Sequence, residues 1–238
     1  MLTALVTGGS RGIGAETVRA FVRAGYRTAF FYFSSAAAAQ ALAAETGAIA
    51  IQCDVRSFAG VRAACAEAQK QLAHIDVLIN NAGVAQQKLF TDITDEDWRT
   101  MLDTHLTGAF AVAREVLPGM ISRRFGRIIN ISSIWGQVGA SCEVHYSAAK
   151  AGLIGLTKAL AKEVGPSGVT VNCICPGVIE TDMLSSFTAE DLASLAEETP
   201  VGRLGAPEDI ARAILWLADE KASFVTGQII GINGGFGE

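Results

Sequence analysis

Seven short runs in this chain read as strands, and their apolar residues come in succession rather than at every second position: residues 2–7, 28–33, 49–53, 77–80, 127–132, 169–175 and 228–232. A strand with one wet face alternates, whereas a strand covered on both faces does not. Helical stretches lie between the runs, for example 12–24, 36–46 and 58–73. This order predicts a doubly wound α/β fold, a seven-stranded parallel sheet with helices on both faces. Thr94, followed by Asp95, Glu96 and Asp97, predicts a helix N-cap with an acidic first turn. Pro207-Glu208-Asp209 opens another helix. No linker, repeat or charge block interrupts the pattern, so residues 1–238 read as one domain. The acidic, helix-prone stretch 181–200 breaks the alternation and is expected either as a short lid over the carboxyl edge of the sheet or as a surface excursion.

The first run ends in Thr7-Gly8-Gly9-Ser10-Arg11-Gly12-Ile13-Gly14, immediately before a helix. Glycines there permit a tight turn and close approach of backbone to a pyrophosphate, which the helix N-terminus then faces. Gly8, Ser10, Arg11, Gly12, Ile13 and Gly14 are therefore candidate cofactor-binding residues. A site for NAD would place an acid on the ribose 2′-hydroxyl near the end of the second strand. Here that end reads Tyr32-Phe33-Ser34-Ser35, and no acid follows until Glu45. The absence of a carboxylate favours NADP(H), with Arg11, Ser34 and Ser35 as candidates for the 2′-phosphate. Phe33 offers it no polar contact.

Tyr146 and Lys150 are spaced to share one helix face. An ammonium beside a phenol is expected to lower its pKa from about 10, toward what a general acid needs. Ser133 follows the apolar run that ends at Ser132, where a hydroxyl can meet a carbonyl oxygen in the ligand crevice.

Hydrophobic residues make up 50% and charged residues 18% of the chain, which excludes a disordered chain and a coiled coil and leaves room for a large core. The net charge of −5 excludes a generic nucleic-acid binder. Arg123, Arg124 and Arg127 form one basic cluster, read as a solvated helix end. The five cysteines (Cys53, Cys65, Cys142, Cys173, Cys175) are odd in number, and no histidine lies at ligand spacing, so reduced thiols and no metal are expected. The first residues run straight into the glycine motif and no apolar run is long enough to span a bilayer, so a cytoplasmic protein is expected.

Taken with Asp54-Val55, Asn80-Asn81-Ala82-Gly83 and Pro176-Gly177, these motifs resemble the short-chain dehydrogenase/reductase family along the whole chain. The resemblance implies a Rossmann sheet and a homotetramer. It implies Tyr146 as general acid/base, Ser133 as orienter of the carbonyl and Lys150 as binder of the nicotinamide ribose. Asp54 and Val55 would contact adenine; Asn80, Ala82 and Gly83 would line the cofactor; Val178 and Thr181, after Pro176-Gly177, would meet the carboxamide. The family's Asn in the proton relay is replaced by His105, which either joins the relay with a pH-dependent charge or is a structural substitution.

Within the family the chain resembles the 3-oxoacyl-[acyl-carrier-protein] reductases, which act in fatty-acid synthesis. For these, Arg123, Arg124 and Arg127 could dock the acidic carrier. It also resembles, through residues 81–90 and 139–146, reductases of the 5-aminopentanone group on elongation factor P. Glu143 suits that cationic substrate, or else faces solvent. A reading of another class is an NADP-binding sensor with little catalysis.

Overall fold

The computed structural model of the chain describes residues 1–185 and 187–237. Seven parallel strands form one sheet in the order β3-β2-β1-β4-β5-β6-β7. They are β1 (Thr3–Val6), β2 (Arg27–Tyr32), β3 (Ile49–Gln52), β4 (Val77–Asn80), β5 (Gly126–Ile131), β6 (Val169–Pro176) and β7 (Ile229–Ile232). Each falls within two residues of its expected position.

The succession of apolar residues has a direct explanation. Leu5, Phe31, Leu78 and Ile128 belong to one core, whereas their chain neighbours Val6, Phe30, Ile79 and Ile129 belong to the other. The first core lies under α3 (Phe58–Leu72), α5 (Gly108–Arg123) and α7 (Val144–Val164). The second lies under α1 (Gly12–Arg23), α2 (Ala36–Thr46) and α9 (Pro207–Ala218). Both Phe30 and Phe31 are fully buried, each contributing about 1.5–3 kcal/mol of transfer free energy. The remaining helices are α4 (Asp95–Leu102), α6 (Trp135–Val138) and α8 (Ala189–Glu198). Thr94 caps α4 through a reciprocal bond pair with Asp97, and Thr188 caps α8 in the same way with Asp191.

The strand order reverses at β1, which pairs with β2 on one side and β4 on the other. A crevice opens at the carboxyl ends of strands that diverge in this way. Thr7 stitches it: its Oγ1 accepts the amides of Asn81 and Ala82, both at 3.0 Å. The loop after β1 and the loop after β4 are thereby fixed against each other.

Arg123 and Arg124 stand exposed at the end of α5, as the solvated-helix-end reading expected, whereas Arg127 does not, and none of the three lines the crevice. Arg127 lies in β5 and is only 2% exposed, with its guanidinium over the Phe125 ring at 4.6 Å. Arg123 donates to the Ile75 carbonyl at 2.8 Å and Arg124 to the Pro166 carbonyl at 3.0 Å. The cluster sits at the amino end of β5, where chain ends and strand starts offer carbonyl oxygens that draw the guanidinium groups in. All five cysteines are free thiols, as expected, and four of them are buried.

Candidate active site

A cleft of about 490 Å³ occupies the crevice. Gly8, Ser10, Arg11, Gly12, Ile13, Gly14, Ser34, Ser35, Asp54, Val55, Ala82, Gly83 and Thr181 all line it. The loop has no room for side chains at Gly8, Gly9 and Gly14. A Cβ on Gly8, whose φ is +65°, would lie 2.7 Å from Ala82 Cα, and one on Gly14 would lie 2.2 Å from the Gly8 carbonyl oxygen. This bare backbone at the start of α1 fits a pyrophosphate, and the long cleft beside it fits a dinucleotide.

Asn80 departs from expectation. Its side chain turns into the core, where Nδ2 donates to Asn130 Oδ1 at 2.9 Å. Its neighbour Asn81 lines the cleft instead and donates to the Thr7 and Gly8 carbonyls, each at 3.1 Å. Pro176, Gly177 and Val178 serve as backbone joints at the end of β6. The Gly177 amide donates to Ile232, and the Val178 carbonyl accepts from Gly205. The stretch 181–200 begins in the cleft wall, with Thr181 and Asp182.

Two further residues line the cleft beside Asp54. Arg56 holds Asp54 through a forked pair, Nε to Oδ1 at 2.9 Å and Nη2 to Oδ2 at 2.8 Å. This keeps Asp54 below the usual carboxylate range. The same guanidinium lies 5.3 Å above the ring of Phe33, which offers a phosphate no polar contact of its own but serves as a platform for Arg56. A base two positions after the Asp was the available signal for Arg56.

Tyr146 and Lys150 share one face of α7, as their spacing predicts, with the ammonium 5.5 Å from the phenol ring centroid. Lys150 is buried, and its Nζ donates to the Ile131 carbonyl at 2.7 Å. Ser133 follows β5, and its Oγ accepts the Trp135 amide at 3.1 Å, which leaves its own proton free to donate. The expected lowering of the phenol pKa does not occur. Burial pushes Tyr146 up to about 12, with the Ser133 hydroxyl opposing and the Glu143 carboxylate reinforcing the rise. Burial brings Lys150 down to about 8. The centre therefore holds a protonated phenol next to an ammonium that titrates near neutrality.

His105 sits in a single π turn, Asp103–Thr107, between α4 and α5. Such turns concentrate at functional sites. Its Nε2 lies 2.8 Å from the Val84 carbonyl oxygen, and its ring meets Tyr146 edge to face at 5.2 Å. A Cβ on Gly83 would lie 2.5 Å from His105 Cε1, so the glycine makes room for the imidazole. Burial, and then the charge of Lys150, hold His105 well below its ordinary pKa. Of the two readings of His105, this opposes the relay with a pH-dependent charge and fits the structural substitution.

Glu143, at the N-cap of α7, is half-buried. Burial raises its pKa, and only the Gln87 amide, at 3.4 Å, pulls it back. Among the described residues no group of three or more His, Cys, Asp or Glu side chains is placed to hold a metal ion, and no helix is long and apolar enough to cross a membrane.

Comparison with known proteins agrees with this geometry. The family model described as enoyl-(acyl carrier protein) reductase matches residues 8–237. An acetoacetyl-CoA reductase of Shinella zoogloeoides is 46% identical over 233 residues, covering 98% of this chain and 97% of the relative. The 3-oxoacyl-[acyl-carrier-protein] reductase FabG of Aquifex aeolicus is 41% identical, covering 97% of this chain and 95% of the relative. FabG of Staphylococcus aureus (strain N315) is 39% identical over 98% of this chain and 97% of the relative.

Proposed function

The chain belongs to the short-chain dehydrogenase/reductase family, and from that premise we propose that it uses NADPH to reduce the ketone of a 3-oxoacyl thioester to a secondary alcohol. The observation that carries this reading is the set of Ser133, Tyr146 and Lys150 beside a dinucleotide-shaped cleft. A reduced nicotinamide bound there supplies the hydride. Ser133 orients the ketone oxygen with its free proton. Tyr146 donates the proton that oxygen acquires, since a phenol with its pKa near 12 is protonated at every working pH. Lys150 keeps one N–H on Ile131 and has two left for hydroxyls of the ribose. Arg11, Ser34, Ser35 and Arg56 offer donors where a 2′-phosphate would lie, and no acid stands at the end of β2. The same reading takes the chain as a homotetramer, for which the exposed Phe58 and Phe110, stacked under Arg114, supply apolar surface.

The ammonium gives the reaction a pH dependence. Lys150 is charged below a pKa of about 8 and neutral above it. Reduction consumes a proton and uses that charge to hold the ribose, so kcat/KM is expected to be flat up to about pH 7 and to fall about tenfold per unit beyond the Lys150 pKa. A stopped-flow profile of NADPH oxidation from pH 6 to 10 checks this. A rate that rises across the range removes Lys150 from the role.

A second reading is favoured by Glu143. A half-buried carboxylate beside the catalytic phenol, with a neutral amide as its partner, suits an ammonium and offers nothing to an acyl chain. The acids of the segment 181–200 (Asp182, Glu190, Asp191, Glu197, Glu198) would likewise repel an acidic carrier. The substrate on this reading is the 5-aminopentanone group on a lysine of elongation factor P. Offering acetoacetyl thioester and an aminopentanone-bearing acceptor in parallel separates the two. If the aminoketone is the substrate, Glu143→Gln raises its KM by about tenfold or more, the worth of one charge-assisted hydrogen bond, and leaves thioester reduction within twofold. Tight NADPH binding with turnover of neither ketone would instead make the protein a cofactor sensor.

A further inference from the structure

Residues 81–89 carry no regular secondary structure, yet they are anchored at alternate positions. The Val84 backbone meets His105 Nε2. Gln86 Nε2 donates to Asp97 Oδ1 at 2.7 Å, and Lys88 Nζ donates to Asp97 Oδ2 at 2.6 Å. The Lys88 amide donates to the Cys142 carbonyl at 2.8 Å. Ala85 lines the cleft together with Val84, whose backbone is held while its side chain is exposed, and Gln87 reaches Glu143.

The bonds around Gln86 also have a fixed direction. A carboxylate can only accept, so the Gln86 amide nitrogen must face Asp97 and its Oε1 must face the other way. That oxygen lies 2.9 Å from Nε2 of His145, which is fully buried one residue before Tyr146. Nε2 therefore carries the imidazole proton, and the chain runs from His145 to Gln86 to Asp97, where Lys88 balances the charge.

We propose that Gln86 and Asp97 are positioning residues for the ketone. They lock the register of residues 84–88, so that Ala85 and Gln87 wall the substrate while Gln86 and Lys88 are held inward. This rests on the reading that a ketone binds beside Tyr146. Asp97 exerts its effect from α4, outside the reacting centre, through Gln86 and His145 and through Lys88. A slip of that strap would take Ala85 and Gln87 out of the substrate wall.

The test is the ketone KM, kcat and NADPH Kd of two variants, measured from pH 6 to 9. Gln86→Leu removes both bonds of the amide and is expected to raise the ketone KM about tenfold, with kcat and NADPH Kd within twofold. Gln86→Glu provides the readout that a purely structural role would not move. As a neutral acid its O–H donates to Asp97 and its carbonyl accepts from His145, so it imitates glutamine at low pH. As an anion it opposes Asp97, with only Lys88 in compensation and His145 alongside. Its ketone KM should match wild type at low pH and climb as pH rises, while wild-type KM stays flat because Lys88 and Thr94 hold Asp97 well below the usual carboxylate range. A pH-flat KM in Gln86→Glu, or a Gln86→Leu variant with wild-type KM or with KM, kcat and NADPH Kd displaced together, overturns the inference. A wild-type protein that turns over no ketone overturns the functional reading itself, whereas ketone turnover with a pH-flat Gln86→Glu overturns this inference alone.

Discussion

Tyr146→Phe is expected to lower ketone reduction by about 10²–10⁴-fold while leaving the NADPH Kd unchanged. The ring of Tyr146 has two structural duties, its edge-to-face contact with His105 at 5.2 Å and its place under the Lys150 ammonium at 5.5 Å. Phenylalanine fulfils both. What disappears is the phenol proton, and no neighbour can replace it. His105 is held neutral, and its Nε2 already meets Val84. The Ser133 hydroxyl can orient an oxygen but is a weak acid, and Lys150 keeps one N–H on Ile131 and turns the other two to the ribose. Single-turnover oxidation of bound NADPH, with the Kd read separately from cofactor fluorescence, isolates the proton step. A wild-type rate in the variant would remove Tyr146 as the proton donor. A fall in cofactor affinity of the same size would make it a packing residue.

The sheet was legible in the sequence because its signal is local. Val6 and Leu5, or Phe30 and Phe31, face opposite cores, and only a two-sided sheet needs apolar residues in succession. The glycine loop and the Tyr146–Lys150 pair were legible for the same reason, since a turn and one helical turn set both spacings. Other features depend on contacts across the fold. Whether Asn80 or Asn81 faces the cleft is decided by Asn130, on the neighbouring strand. Arg127 looked like surface charge because its burial comes from the central strand it lies in and from the distant Glu220 carbonyl, 93 positions along the chain and 3.5 Å away. The pKa of Tyr146 was misjudged because sequence spacing reports who is near, while burial decides the sign. The bond from Gln86 to His145 spans 59 positions and leaves no periodic trace.

Gly14→Ala is the sharpest test of the cleft as a dinucleotide site. Its added methyl would lie 2.2 Å from the Gly8 carbonyl oxygen and 2.6 Å from Asn81 Nδ2. Neither atom can yield alone, because Asn81 Nδ2 donates to that same Gly8 oxygen at 3.1 Å and the Asn81 amide is bonded to Thr7. Relief requires the glycine loop to move away from the loop after β4, across the floor on which a pyrophosphate would rest. Overpacking of this kind costs about 1–3 kcal/mol, so NADPH affinity should fall about tenfold to a hundredfold if the strain appears in the bound state. Gly155→Ala is the matched control. It lies inside α7 with nothing within 4 Å of the added methyl, and it should stabilise the helix by about 0.5–1 kcal/mol without altering the Kd. Equal cofactor affinity in Gly14→Ala and wild type would place the pyrophosphate elsewhere. A loss of affinity confined to Gly14→Ala ties the dinucleotide to the loop after β1, where the backbone approaches too closely for a side chain at Gly14.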